Sequence, residues 1–101
     1  LDHLAPATLG EIEVEREVLT LFARQAGELL GRLEGLPPEG ALLAHTLKGS
    51  ARGIGAFAVA DAADQLERRL RRGLPVAAEV AMLRQALDAA LAAVAERLSP
   101  R

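Results

Sequence analysis

Apolar residues recur along most of this chain at intervals of three and four, the spacing that gathers side chains onto one stripe of an α-helix. From Glu11 to Glu34 the stripe is Val18, Phe22, Ala26, Leu29 and Leu33. Glu11, Glu13, Glu15 and Glu17 crowd its start, where negative charge meets the positive end of the helix dipole. Gly35-Leu-Pro-Pro-Glu-Gly40 breaks the pattern, because two prolines remove amide donors and the flanking glycines tolerate unusual dihedrals. A second helix is predicted from Ala41 to Arg52, with Leu43, Leu47, Ala51 and then Ile54 on one face, stopped by a tight turn at Gly53-Ile-Gly55.

Phe57 to Arg72 repeats the pattern with Val59, Ala63, Leu66 and Leu70 inward. This block ends in Arg68, Arg69, Arg71 and Arg72, for which the helix dipole is explanation enough, before Gly73-Leu-Pro75. Val76 to Leu98 carries Val80, Leu83, Leu87, Leu91, Val94 and Leu98 at near-heptad spacing and stops at Ser99-Pro100. Leu1 to Gly10 is a short N-terminal helical segment of ambiguous pattern. Four helices, each apolar along one stripe and joined by short loops, bury those stripes most simply as an all-α, antiparallel up-and-down four-helix bundle. One domain spanning residues 1–101 is expected, since half of the chain is apolar, enough for one core and not two.

Composition narrows the chemistry. Phe22 and Phe57 are the only large rings, so the core is aliphatic. Lys plus Arg total 12 against 14 Asp plus Glu, a balance with no long-range pull toward nucleic acid or anionic lipid. Absence of cysteine excludes disulfides, thiolate nucleophiles and sulfur-ligated zinc, and fits a reducing compartment. Charge-free stretches fall well short of a membrane span, and the N-terminus lacks the order of a secretion signal, so a cytoplasmic protein is expected. Because it begins at Leu1 and not methionine, the chain is expected to be a processed product or an excised piece of something longer.

One segment departs from what a bundle needs, Ala44-His45-Thr46-Leu47-Lys48-Gly49-Ser50-Ala51. At 100° per residue, Leu43 and Leu47 point to the core while His45, Lys48, Gly49 and Arg52 share the opposite face. A lone histidine is usually a surface filler, which suffices for His3. His45 has company that this does not explain. An exposed mid-helix glycine costs about 1 kcal/mol relative to alanine, and Gly49 lies one turn from His45 with no cap or turn to justify it. Close approach of another molecule would justify it, with Lys48 present to meet negative charge. A bare nucleophile, a cation and a cleared surface are what phosphoryl acceptance requires. An exposed imidazole is largely neutral near pH 7 and offers a lone pair without an activating base. No phosphate-cradling glycine loop or carboxylate pair accompanies it, so further chemistry must come from a partner.

His45-Thr-Leu-Lys48-Gly49-Ser-Ala51, followed by Gly55-Ala56 and Leu66-Glu67, resembles the histidine-containing phosphotransfer (HPt) domain family of two-component phosphorelays. The resemblance implies that His45 accepts a phosphoryl group from a receiver-domain aspartate and donates it to another, without autonomous catalytic activity. It further implies that Lys48 stabilises the phosphoryl oxygens and that Gly49 is the clearance position. Glu67 lies where the family places a residue able to orient the imidazole, although a solvated helix-edge residue is an equal reading. Arg52 is a lesser candidate for contact with the phosphate or with an acidic receiver surface, and Phe22 matches a core position at the base of the site.

No cofactor is expected, because the family's magnesium belongs to the receiver. The implied partners are response-regulator receiver domains and a hybrid histidine kinase, bound by a monomer through apolar residues such as Leu1, Leu4, Val14 and Leu21. Alternatives are the phosphorylated histidine domain of a chemotaxis-type or hybrid sensor kinase, and a structural or adaptor bundle that transfers nothing. A metal-binding bundle is weakest, with only two histidines and no inward Glu-x-x-His pattern.

Overall fold

The computed structural model describes residues 8–99. Four helices fill this stretch: α1 (Leu9–Glu34), α2 (Gly40–Gly53), α3 (Phe57–Arg71) and α4 (Ala77–Leu98). Of the expected N-terminal segment, Leu1 to Gly10, residues 1–7 lie outside the described residues, His3, Leu1 and Leu4 among them; Thr8 caps α1, and Leu9 and Gly10 belong to it. A capping box sets the start of α1. The Glu11 amide donates to Thr8 Oγ1 at 3.1 Å, and the Thr8 amide donates to Glu11 Oε1 at 3.4 Å, which satisfies two donors the helix would leave open.

Short connections make successive helices antiparallel neighbours. The helices close a ring in which α1 packs beside α2 and α4, and α3 beside α2 and α4. Gly55 (φ 80°) and Gly73 (φ 68°) supply the left-handed positions that end α2 and α3. The loop after α1 differs from expectation. There Gly35 stays right-handed, and it is Leu36 that turns left-handed at φ 50°, with Gly40 opening α2. Leu36 is a non-glycine residue in a region that crowds its Cβ, and it projects into solvent.

The core is aliphatic apart from Phe22. Leu33, Leu47, Leu66, Leu83 and Leu87 are almost completely buried, one or more from each helix. Leu19, and not Val18, continues the α1 stripe above Phe22. Val18 is 44% exposed and lies with Ile54 on the margin of a groove. Polar clips fasten α1 to α4 along their length. Arg84 holds Glu34 with two 2.6 Å hydrogen bonds, Arg97 pairs with Glu15, and Arg16 Nη2 donates to the Leu98 carbonyl at 2.9 Å. Among the described residues no helix is long and apolar enough to cross a membrane.

Candidate functional site

The middle of α2 presents a histidine to solvent because its other faces are committed. Leu43, Ala44, Leu47 and Ala51 are buried against the neighbouring helices, so a side chain at 45 must point away from the core. The His45 side chain is 57% exposed. One turn on, Gly49 is exposed, and a Cβ built there meets open space, as it does at Gly53 a further turn along. The surface one turn beyond the imidazole is therefore bare at Gly49, with the exposed Arg52 a further turn along the same face.

The imidazole leans on α3. Glu67 is buried, the one charged residue so placed among those described. Its Oε2 lies 3.1 Å and its Oε1 3.2 Å from His45 Nδ1. A solvated helix-edge position is thus not what Glu67 occupies. Lys48 Nζ donates to Glu67 Oε1 at 2.7 Å, and Arg71 donates to Oε2 through Nε at 3.0 Å and Nη2 at 2.9 Å.

Burial pushes the Glu67 carboxyl up, but the hydrogen bonds from Lys48, Arg71 and His45 outweigh it and hold the group down at about 2. Glu67 is consequently a carboxylate at neutral pH and can only accept. A proton must then sit on Nδ1 of His45, so that in the neutral imidazole it is Nε2, on the side of the ring away from Glu67, that carries the lone pair.

Lys48 does not share the open face with His45 as the helical wheel suggests. Its side chain is only 14% exposed, and it turns toward α3, where Nζ also donates to Asp64 Oδ1 at 3.2 Å. At 100° per residue, position 48 lies 60° from position 45, on the side where α3 packs. The hydrogen bond to Glu67, and then that to Asp64, raise the affinity of Lys48 for its proton. Asp64 is held low chiefly by its hydrogen bond from Lys48, against the upward push of burial and with help from Arg68 and Arg52.

The match of a protein-family model decides the affiliation: the Hpt domain model covers residues 17–97. The chain belongs to the Hpt domain family. Hpt domains are phosphoryl carriers that perform histidine phosphotransfer in two-component signalling, with receiver domains and kinases as their partners. No curated protein and no solved structure shows a significant match to the chain.

Within this Hpt domain the structure brings His45, Lys48 and Glu67 into one hydrogen-bonded cluster with Gly49 beside it. Arg52 stays exposed on α2, and its charge acts on Asp64. Sequence reasoning missed Asp64, Arg68 and Arg71. The arginines at the end of α3 do more than match its dipole. Arg68 Nε pairs with Asp64 at 2.9 Å, Arg71 with Glu67, and Arg69 with Glu79 and the Pro75 carbonyl. The Asp64–Arg68 and Glu67–Arg71 spacings of four residues were the available signal.

Of the four apolar residues expected at a docking surface, Val14 and Leu21 lie within the described stretch, each 59% exposed. Val18, Leu21, Phe22, Gln25, Ser50 and Ile54 line a shallow groove of about 220 Å³ between α1 and the end of α2. Leu42, one turn before His45, is also exposed and went unnoticed in the sequence.

Proposed function

We propose that this Hpt domain relays a phosphoryl group between receiver-domain aspartates through Nε2 of His45. The observation that carries the reading is the contact between the exposed imidazole and the buried, ionised Glu67, which fixes the proton on Nδ1 and presents Nε2 as a nucleophile.

The Nε2 lone pair attacks the phosphorus of an aspartyl phosphate. The N–P bond forms as the acyl P–O bond breaks, and the receiver's aspartate leaves as a carboxylate. No proton moves. The Nδ1–H becomes part of an imidazolium whose positive charge faces Glu67, and the reverse sequence delivers the group to the next aspartate.

Residue roles follow from placement. Lys48 has three N–H donors, two of them engaged with Glu67 and Asp64, and offers the third to a phosphoryl oxygen. Gly49 leaves room for in-line approach. Arg52 meets the acidic rim of a receiver, and Val14 and Leu21 supply apolar docking area for a transient interface. Magnesium enters with the receiver, which supplies the electrostatic stabilisation of the transferring group. The domain acts as a cytoplasmic monomer, with a hybrid histidine kinase as a further partner upstream, and it turns over no nucleotide by itself.

Presenting the protein to a panel of phosphorylated receiver domains tests this reading. At least one receiver should lose its label to the protein within seconds to minutes, while ATP with magnesium alone should label nothing. Failure with every receiver, or self-labelling from ATP, would contradict it.

A further inference from the structure

The relay chemistry gives His45, Lys48, Gly49 and Glu67 work to do, but it leaves Asp64 unexplained. Glu67 alone orients the imidazole and anchors Lys48. A second carboxylate at 3.2 Å from the Lys48 ammonium opposes phosphoryl binding, because it draws on the same cation that the phosphoryl oxygens need. Asp64 is not there by accident of exposure. Its side chain is 22% exposed, it sits one turn before Glu67 on the face of α3 that meets α2, and Arg68 holds its second oxygen at 2.9 Å. The cluster thus sets three cations, Lys48, Arg68 and Arg71, against two carboxylates, Asp64 and Glu67. A site built only to retain a phosphoryl group would dispense with the outer carboxylate. A carrier must also give the group up.

We propose that Asp64 is a positioning residue that sets the equilibrium of phosphoryl transfer by competing with the phosphoryl group for the Lys48 ammonium, so that phosphorylated His45 remains a ready donor. The inference rests on the relay reading of His45 and goes beyond it by naming what limits the stability of the phosphorylated form. When the N–P bond forms, Lys48 turns part of its charge toward the new dianionic group. With Asp64 in place, that attraction is offset by the charge the carboxylate already draws from the ammonium. Without the Asp64 charge, the attraction stands unopposed and the phosphoryl group stays on His45.

Asp64→Asn is the informative variant, because asparagine keeps an oxygen that accepts from Lys48 and loses only the charge. The measurement is the equilibrium ratio of phosphorylated His45 to phosphorylated receiver with one receiver domain, alongside thermal melts of each protein. Asp64→Asn should raise the ratio by about tenfold, the order expected for removing one unit charge close to the site in partly screened surroundings. Asp64→Glu should stay near wild type. In a Lys48→Met background the effect of Asp64→Asn should shrink to the weaker direct repulsion between Asp64 and the phosphoryl group, because the cation under competition is gone. A merely structural Asp64 would change the melting temperature and leave the ratio alone. An unchanged or lowered ratio in Asp64→Asn, or a shift of the same size without Lys48, overturns the proposal. Wild-type protein that accepts no phosphoryl group from any receiver would instead overturn the relay reading beneath it.

Discussion

Glu67 and His45 meet across the α2/α3 interface with Oε2 3.1 Å from Nδ1, an exposed ring leaning on a buried carboxylate. Lys48 and Arg71 secure the carboxylate from the other sides, so the ring is oriented by a group that is itself immobilised. The same contact ties acid stability to the site. Glu67 has an ordinary value of 4.5 and is held at about 2 in the folded protein. A carboxyl depressed by folding stabilises the native state at pH values above its unfolded value, and that contribution is lost as pH falls through the folded one. The bundle should therefore lose stability between about pH 4.5 and pH 2, by on the order of 2 kcal/mol from this group. Glu67→Gln should flatten that limb of a denaturant-midpoint profile and lower the rate of phosphoryl transfer. An unchanged acid limb would show that the Glu67 network contributes little to folding.

Gly49 sets fold against function. Its missing Cβ would meet open space, so Gly49→Ala should stabilise the helix by roughly 0.5 to 1 kcal/mol through propensity alone. Gly49→Gln should also fold stably while placing a side chain beside His45 that obstructs the receiver. Thermal melts should rise or hold as transfer slows from glycine to glutamine. Equal transfer rates in all three proteins would remove the clearance role.

Val14 and Leu21 expose apolar area that the bundle does not need for its own core. Leu21→Asp should leave the melting temperature within about 4 °C of wild type, since a surface substitution usually changes stability by no more than about 0.5 kcal/mol. Transfer at sub-saturating receiver should slow at least several-fold, with the rate at saturation much less affected. A loss confined to the saturated rate would place Leu21 in the chemistry and not in docking.

Much of this architecture was written in single-helix periodicity. Leu33, Leu47, Leu66 and Leu87 fall on stripes that a spacing of three and four identifies, and Gly55 and Gly73 mark helix ends by their left-handed backbones. What periodicity within one helix does not encode is how that helix is rotated and how far its neighbour extends. That is why Leu19 displaced Val18 from the core, and why Lys48 turned toward α3 when the wheel put it beside His45. The strain at Leu36 was hidden by adjacent glycine and proline, which drew attention as the turn formers. Glu67 was legible as a position through resemblance, but its burial depended on Lys48 and Arg71 arriving from two helices. Arg68 and Arg71 were overlooked because the dipole already accounted for basic residues at a helix end.

The central claim is that His45 Nε2 carries the phosphoryl group. A receiver domain bearing a radiolabelled aspartyl phosphate, mixed with wild type and with His45→Gln, tests it most directly when the label is mapped to a residue. The account predicts label on His45 alone in the wild type, labile in acid and resistant to alkali as a phosphoramidate is, and none in a His45→Gln protein of unchanged helical content. Undiminished label on His45→Gln would contradict it.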